Sequence, residues 1–138
     1  MLIAALAAPR KAPAQEQSPL DPSVTHVVSG GTWRSREGEG TFRVVVRNQG
    51  WEHVSSRLTV EWLAANQDSR SVTVLRSQSP AEISEGRWSL GAPQLIRQSA
   101  RWMLLIEGTN PYTLATRRWR FALGPPGVVT VQSRAPAG

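Results

Sequence analysis

The chain has 138 residues, enough for one domain with its own core, and 40% of them are hydrophobic. It carries a net charge of +6, supplied by 15 Arg and a single Lys, Lys11. There is no cysteine, which excludes disulfides, thiolate metal sites and a cysteine nucleophile. The arginine surplus has two compatible readings: a GC-rich coding sequence, and a surface that meets anions such as phosphate, acidic glycan or an acidic partner.

Met1 to Ala8 reads MLIAALAA, apolar and small, and Ala12-Pro13-Ala14 has the pattern of a secretory cleavage site. We read residues 1–14 as the remnant of a signal peptide, which places the mature protein in a periplasm or outside the cell. Two features depart from that pattern. No basic residue precedes the apolar run, and Arg10 and Lys11 sit where a polar segment is usual. The alternative is a disordered N-terminal arm. The run is too short to span a bilayer, which takes about 20 apolar residues. Residues 15–22 continue a proline-rich stretch with few large apolar side chains and read as a disordered linker. The folded domain is expected over 23–132, followed by a flexible tail at 133–138.

From Val24 onward apolar residues recur with period two, the spacing of half-buried strands. Val24 to Val28, extendable to Trp33, is the first strand. Thr41 to Arg47 is the second, with Phe42, Val44 and Val46 on one face and Arg43, Val45 and Arg47 on the other. Asn48-Gln49-Gly50 marks a turn. Ser56 to Leu63 gives Leu58, Val60 and Trp62 against Arg57, Thr59 and Glu61; a polar turn and Ser71 to Arg76 follow. These three runs read as an antiparallel meander. Ile83, Trp88 and Leu90 form a weaker strand after Pro80. Arg101 to Glu107 has apolar residues on both faces and reads as a central strand. After the Gly108–Pro111 turn, Arg117 to Leu123 points Trp119, Phe121 and Leu123 inward; Val128 to Gln132 is the last strand.

About 7–9 short strands, with no convincing helical period, predict an all-β fold: an antiparallel β-sandwich, immunoglobulin-like in architecture, or a barrel. The likeness to immunoglobulin domains is architectural, since the Cys-Trp-Cys hallmark is absent, and that architecture hosts many functions. Arg-Trp occurs three times, at Arg87-Trp88, Arg101-Trp102 and Arg118-Trp119. In a strand each pair sets an indole on one face and a guanidinium on the other.

The two histidines, His26 and His53, lack metal-ligand spacing, so no metal is expected. No G-x-S-x-G elbow, phosphate loop or singled-out carboxylate pair is present, so no catalytic residue and no cofactor are assigned and the chain reads as a non-enzyme. The leading expectation is an exported binding domain whose basic sheet face docks an acidic protein or an anionic glycan. Its expected contacts are Trp33, Arg43, Arg47, Trp51, Arg118 and Arg120. A patchwork of Arg and acid would count against that face. The second expectation is a ligand-binding or hydrolase sandwich with a site near His53 and Glu52. The third, less favoured because the aromatics fall on the face opposite the arginines, is a cytoplasmic nucleic-acid binder.

Overall fold

Phe42, Val44 and Val46 lie directly across from Trp62, Val60 and Leu58, so two alternating sequences pool their apolar rows on one side of a sheet. The computed structural model describes residues 21–137 except Gln67. The first four strands are β1 (Val24–Ser35), β2 (Gly38–Gln49), β3 (Ser55–Asn66) and β4 (Ser71–Gln78). They form one antiparallel sheet in the order β1-β2-β3-β4. A single helical turn, α1 (Ala81–Ser84), leads to β5 (Ser89–Leu90), β6 (Gln94–Gln98), β7 (Arg101–Thr109), β8 (Thr116–Leu123) and β9 (Val129–Pro136). In this second antiparallel sheet β7, β8 and β9 follow one another, and β5 and β6 both pair with β7.

The apolar rows of the two sheets close on one core. Phe42, Val44, Val46, Leu58, Val60 and Trp62 pack with Leu104, Ile106, Trp119, Phe121 and Leu123. The protein is therefore a β-sandwich, as expected. Each sheet is a meander of consecutive strands, and the chain passes between sheets once, through α1. The immunoglobulin likeness thus lies in the two layers and does not extend to Greek-key strand order.

Two polar seams tie the layers. The Trp62 indole N–H donates to the carbonyl of Gly124 at 3.1 Å. Ser56, the one buried polar residue among those described, donates its backbone N–H to the Trp88 carbonyl at 2.6 Å. Its hydroxyl donates to Asn48 Oδ1 and accepts from the Leu90 N–H. Every polar group of Ser56 that these bonds engage is satisfied, as burial requires.

Several expectations need correction. Ile83 is not in a strand: the Pro80 carbonyl accepts from the N–H groups of Ile83 and Ser84, closing a helical turn that buries Ile83 completely. Arg87 adopts a left-handed backbone with φ 54°, so Arg87-Trp88 belongs to a turn, while Arg101-Trp102 and Arg118-Trp119 do lie in strands. The Gln94–Gln98 strand was not anticipated. The last strand continues to Pro136, because Ser133, Arg134 and Ala135 pair with Arg120, Trp119 and Arg118. Most of the segment expected to be a flexible tail is therefore strand. The signal-peptide reading of 1–14 and most of the linker reading of 15–22 lie outside the described residues.

Candidate functional site

The expected arginine row does not assemble on one face. Arg43 and Arg47 project from the outer side of the first sheet, and Arg118 and Arg120 from the outer side of the second, so the core separates them. Arg43 pairs with Glu61 at 2.6 Å, and this hydrogen bond holds its guanidinium pKa above the ordinary arginine value. Arg118 pairs with Glu107 at 2.6 Å, and Arg120 reaches Gln98. Arg34–Glu39 and Arg76–Glu37 add two more ion pairs. Each outer face is thus a patchwork of both signs.

The register explains what these arginines cover. Gln98 pairs with Arg101 and Arg120 pairs with Leu105, so the Arg120–Gln98 link runs diagonally over Met103. That roof accounts for Met103 being buried on an outward row. Val45, on the outward row of β2 opposite Val27 and Thr59, is also buried. Trp33, expected as a contact residue, is part of the core. Its indole N–H is shared between the carbonyls of Thr41 and Leu63, at 3.1 and 3.2 Å.

Trp51 is placed differently. Gly50, at φ 92°, turns the chain out of β2, and the next side chain is 95% exposed. The β2–β3 connection meets the turn before β5 and the β7–β8 connection at one end of the sandwich. His53 stacks on Tyr112 with ring centroids 4.3 Å apart. The Arg87 guanidinium lies 5.7 Å from the Tyr112 ring centre, and that of Arg117 lies 5.1 Å from the Trp88 ring. Asn110 builds the platform under Tyr112: its side-chain oxygen accepts from the N–H groups of Tyr112 and Thr113. Leu114 sits in the same loop at φ 61° with its side chain 75% exposed. Arg87 and Leu114 therefore both hold backbone conformations that cost roughly 1–3 kcal/mol each, a feature that concentrates at binding sites.

Two arginines next to this end stand without an ion pair among the described residues. These are Arg47 and Arg57, which face each other directly across β2 and β3. Like charges in that arrangement repel. The nearby Asp21 accepts from the Ser23 N–H at 2.8 Å. This bond, then the Ser23 hydroxyl and the charge of Arg47, hold its carboxyl below 3.8. A lowered pKa of this kind favours the fold above the ordinary carboxylate value, and that contribution fades as pH falls through the lowered one.

Of the expected contacts, Trp51 and Arg47 lie at or next to this end, and Arg43, Arg118, Arg120 and Trp33 do not join it. His53 is at the site, but no hydrogen bond links it to Glu52 or Ser55, so the geometry of a base with its nucleophile is not formed. No group of three or more potential metal ligands occurs among the described residues. No helix among them is long and apolar enough to cross a membrane. Tyr112, Arg87 and Leu114 were not anticipated; the sequence signal for Tyr112 was the Asn110-Pro111 turn, which presents the next side chain, and no local signal marked the other two. Comparison of the chain with family models, with curated proteins and with solved structures finds no match.

Proposed function

We propose that this protein is an exported, non-enzymatic binding domain that holds an anionic glycan at its loop end, around Trp51. The observation that carries this reading is the collection of Trp51, Leu114 and Tyr112, 95%, 75% and 54% exposed, at one end of a sandwich whose other Trp side chains are buried or half-buried. Exposed apolar groups gathered in one place with a polar surround mark contact surfaces. The flat faces of Trp51 and of the Tyr112–His53 stack suit the apolar faces of sugar rings. Arg47, Arg57 and Arg87 supply guanidinium groups for carboxylate or sulfate substituents. Export rests on the N-terminal sequence and is tested by the cellular fraction and mature N-terminus in the native host. A chain starting near Gln15 in the periplasm or medium supports it, and an uncleaved cytoplasmic chain overturns it.

Arg57→Glu separates binding from folding. It replaces a repulsive cross-strand pair with an attractive one, so stability should rise by about 0.5 kcal/mol in urea denaturation. Affinity for oligogalacturonate should fall at the same time, and the wild-type affinity should weaken with salt. A variant that binds as well as wild type would remove the arginines from the site.

Nucleic acid is the second reading, because exposed aromatics and arginines do meet at this end, as single-strand binders require. Oligothymidylate binding tighter than oligogalacturonate would favour it. Capture of an acidic protein with no affinity for either probe would replace both.

A further inference from the structure

A sheet that ends on an open strand leaves a row of backbone N–H and C=O groups free to pair with another chain, and proteins usually blunt such edges. The end strands of the first sheet are β1 and β4. β1 is interrupted by two register shifts, and β6 of the other sheet lies against it: a Cβ added at Gly30 would stand 4.0 Å from the Leu95 side chain. In the second sheet the end strand β9 carries a register shift and finishes on Pro136. β4 differs. Its only hydrogen-bonded neighbour is β3, and no other backbone hydrogen bond engages Ser71–Gln78 among the described residues. The strand contains no Pro and no Lys, and every residue but Leu75 is exposed. Its one charged side chain, Arg76, is paired with Glu37 at 2.9 Å.

The open edge is regular where it is most apolar. Ser71 to Val74 run in unbroken register with Asn66 to Leu63, and the shift in β4 comes only after Val74. Val72 and Val74 are 64% and 45% exposed and share the outer face, across from Ala65 and Leu63. β-Branched side chains of this kind pack well on a pleated surface. Here they have an open edge beside them.

We propose that β4 pairs antiparallel with β4 of a second copy of this chain, about a two-fold axis at Thr73, so that the two four-stranded sheets run on as one. The sequence of the strand selects a second copy as the occupant. An axis through Thr73 sets Thr73 against its own copy and Val72 of each chain against Val74 of the other. Thr–Thr and paired β-branched residues are favourable across antiparallel strands. The contact uses only the regular part of the edge. Arg70 and Arg76 do not oppose it, because Arg70 has turned out of the strand at φ 52° and Arg76 is held by Glu37. An isologous contact of this kind closes on itself and does not propagate. The paired edge is short and buries less than the roughly 1,200 Å² of a stable interface, so the dimer is a weak one.

The chain has no cysteine, so a single introduced thiol reports on one position. Thr73→Cys sets two thiols across the axis, where opposed Cα atoms stand about 4.5–5.5 Å apart, within disulfide range. Under mild oxidation of the full chain it should form a linked dimer at least about tenfold faster than Thr130→Cys, which places its thiol at an exposed position on β9. Sedimentation of the wild type from about 5 to about 500 μM should show a reversible monomer–dimer equilibrium. Val72→Lys should weaken that equilibrium at least about tenfold with an unchanged circular dichroism spectrum. Trp51→Ala and Val128→Lys should leave it as it is, which separates pairing through β4 from contact through other exposed apolar groups. A wild type that stays monomeric throughout overturns the proposal. So does equal cross-linking at the two positions, or a Val72→Lys dimer as tight as the wild type.

Discussion

Alanine at Gly40 is expected to lower stability by at least about 3 kcal/mol, far beyond the effect of a single methyl on an ordinary strand. Gly40 does not have a left-handed backbone; the reason is space. It sits in β2 between Trp33 of β1 and Ala64 of β3. A Cβ there would fall inside the carbonyl oxygen of Leu63 and 2.8 Å from the carbonyl carbon. That oxygen also receives the Trp33 indole N–H, so it cannot retreat without breaking the bond that holds Trp33 in the core. Both neighbours are backbone or locked aromatic, and neither yields as a flexible side chain would. Gly91→Ala is the control. Its nearest neighbour beyond the adjoining residues would be the Glu107 carbonyl at 3.8 Å, an ordinary contact, and the loss should stay under about 1 kcal/mol. Urea denaturation of the two variants side by side measures the difference. Equal stabilities would mean that the β1–β2–β3 packing around Trp33 is wrong.

Trp62→Ala should cost about 3–5 kcal/mol. The side chain has no exposed surface and meets the Phe42 ring edge to face at 6.0 Å between centroids. It is also the residue whose N–H crosses from the first sheet to the Gly124 carbonyl of the second. Truncation leaves both a cavity and a carbonyl stripped of that donor, and the two penalties add. Trp62→Phe divides them: the ring remains, the donor is lost, and the smaller ring fills the site incompletely. A loss near 1 kcal/mol is expected from the hydrogen bond, with a packing loss on top of it. Thermal unfolding of the pair gives the partition. A Trp62→Ala protein as stable as wild type would show that the two sheets are not joined through this residue.

The rows that build the core were legible because a strand reports its two faces with period two. Phe42, Val44, Val46, Leu58, Val60, Trp62, Trp119 and Phe121 could be read inward from spacing alone. What failed was whatever depends on a partner far along the chain. The Gln94–Gln98 segment has only Leu95 and Ile96 as large apolar residues, one on each face, and becomes a strand because β7 offers its edge. Ser133 to Pro136 carries no apolar alternation and pairs because β8 is long enough to reach it. Ile83 looked like strand and was captured by the turn that the Pro80 carbonyl closes.

The site was harder to read for the same reason. Alternation says that Arg43, Arg47, Arg118 and Arg120 leave the core, but it does not say which of two outer faces each one joins. Sheet membership decides that, and it sets the pairs on opposite sides. Trp33 looked available because the segment from it to Gly40 reads as a charged loop; the irregular pairing of β1 turns it inward onto two carbonyls. Trp51 could be singled out because Gly50 breaks its strand. Its neighbours Tyr112 and Arg87 come from loops 61 and 36 residues later in the chain, and only the fold brings them to the same end.

The central claim is that the loop end around Trp51 is the contact surface for an anionic glycan. It is tested most directly by following the Trp51 indole N–H resonance while ¹⁵N-labelled protein is titrated with oligogalacturonate, for wild type and for Arg87→Gln, with Trp51→Ala measured by calorimetry. The account predicts a saturable shift at Trp51, and a loss of at least about tenfold in affinity for Trp51→Ala with stability unchanged within about 0.5 kcal/mol. An unmoved Trp51 resonance, or undiminished binding by Trp51→Ala, would contradict it.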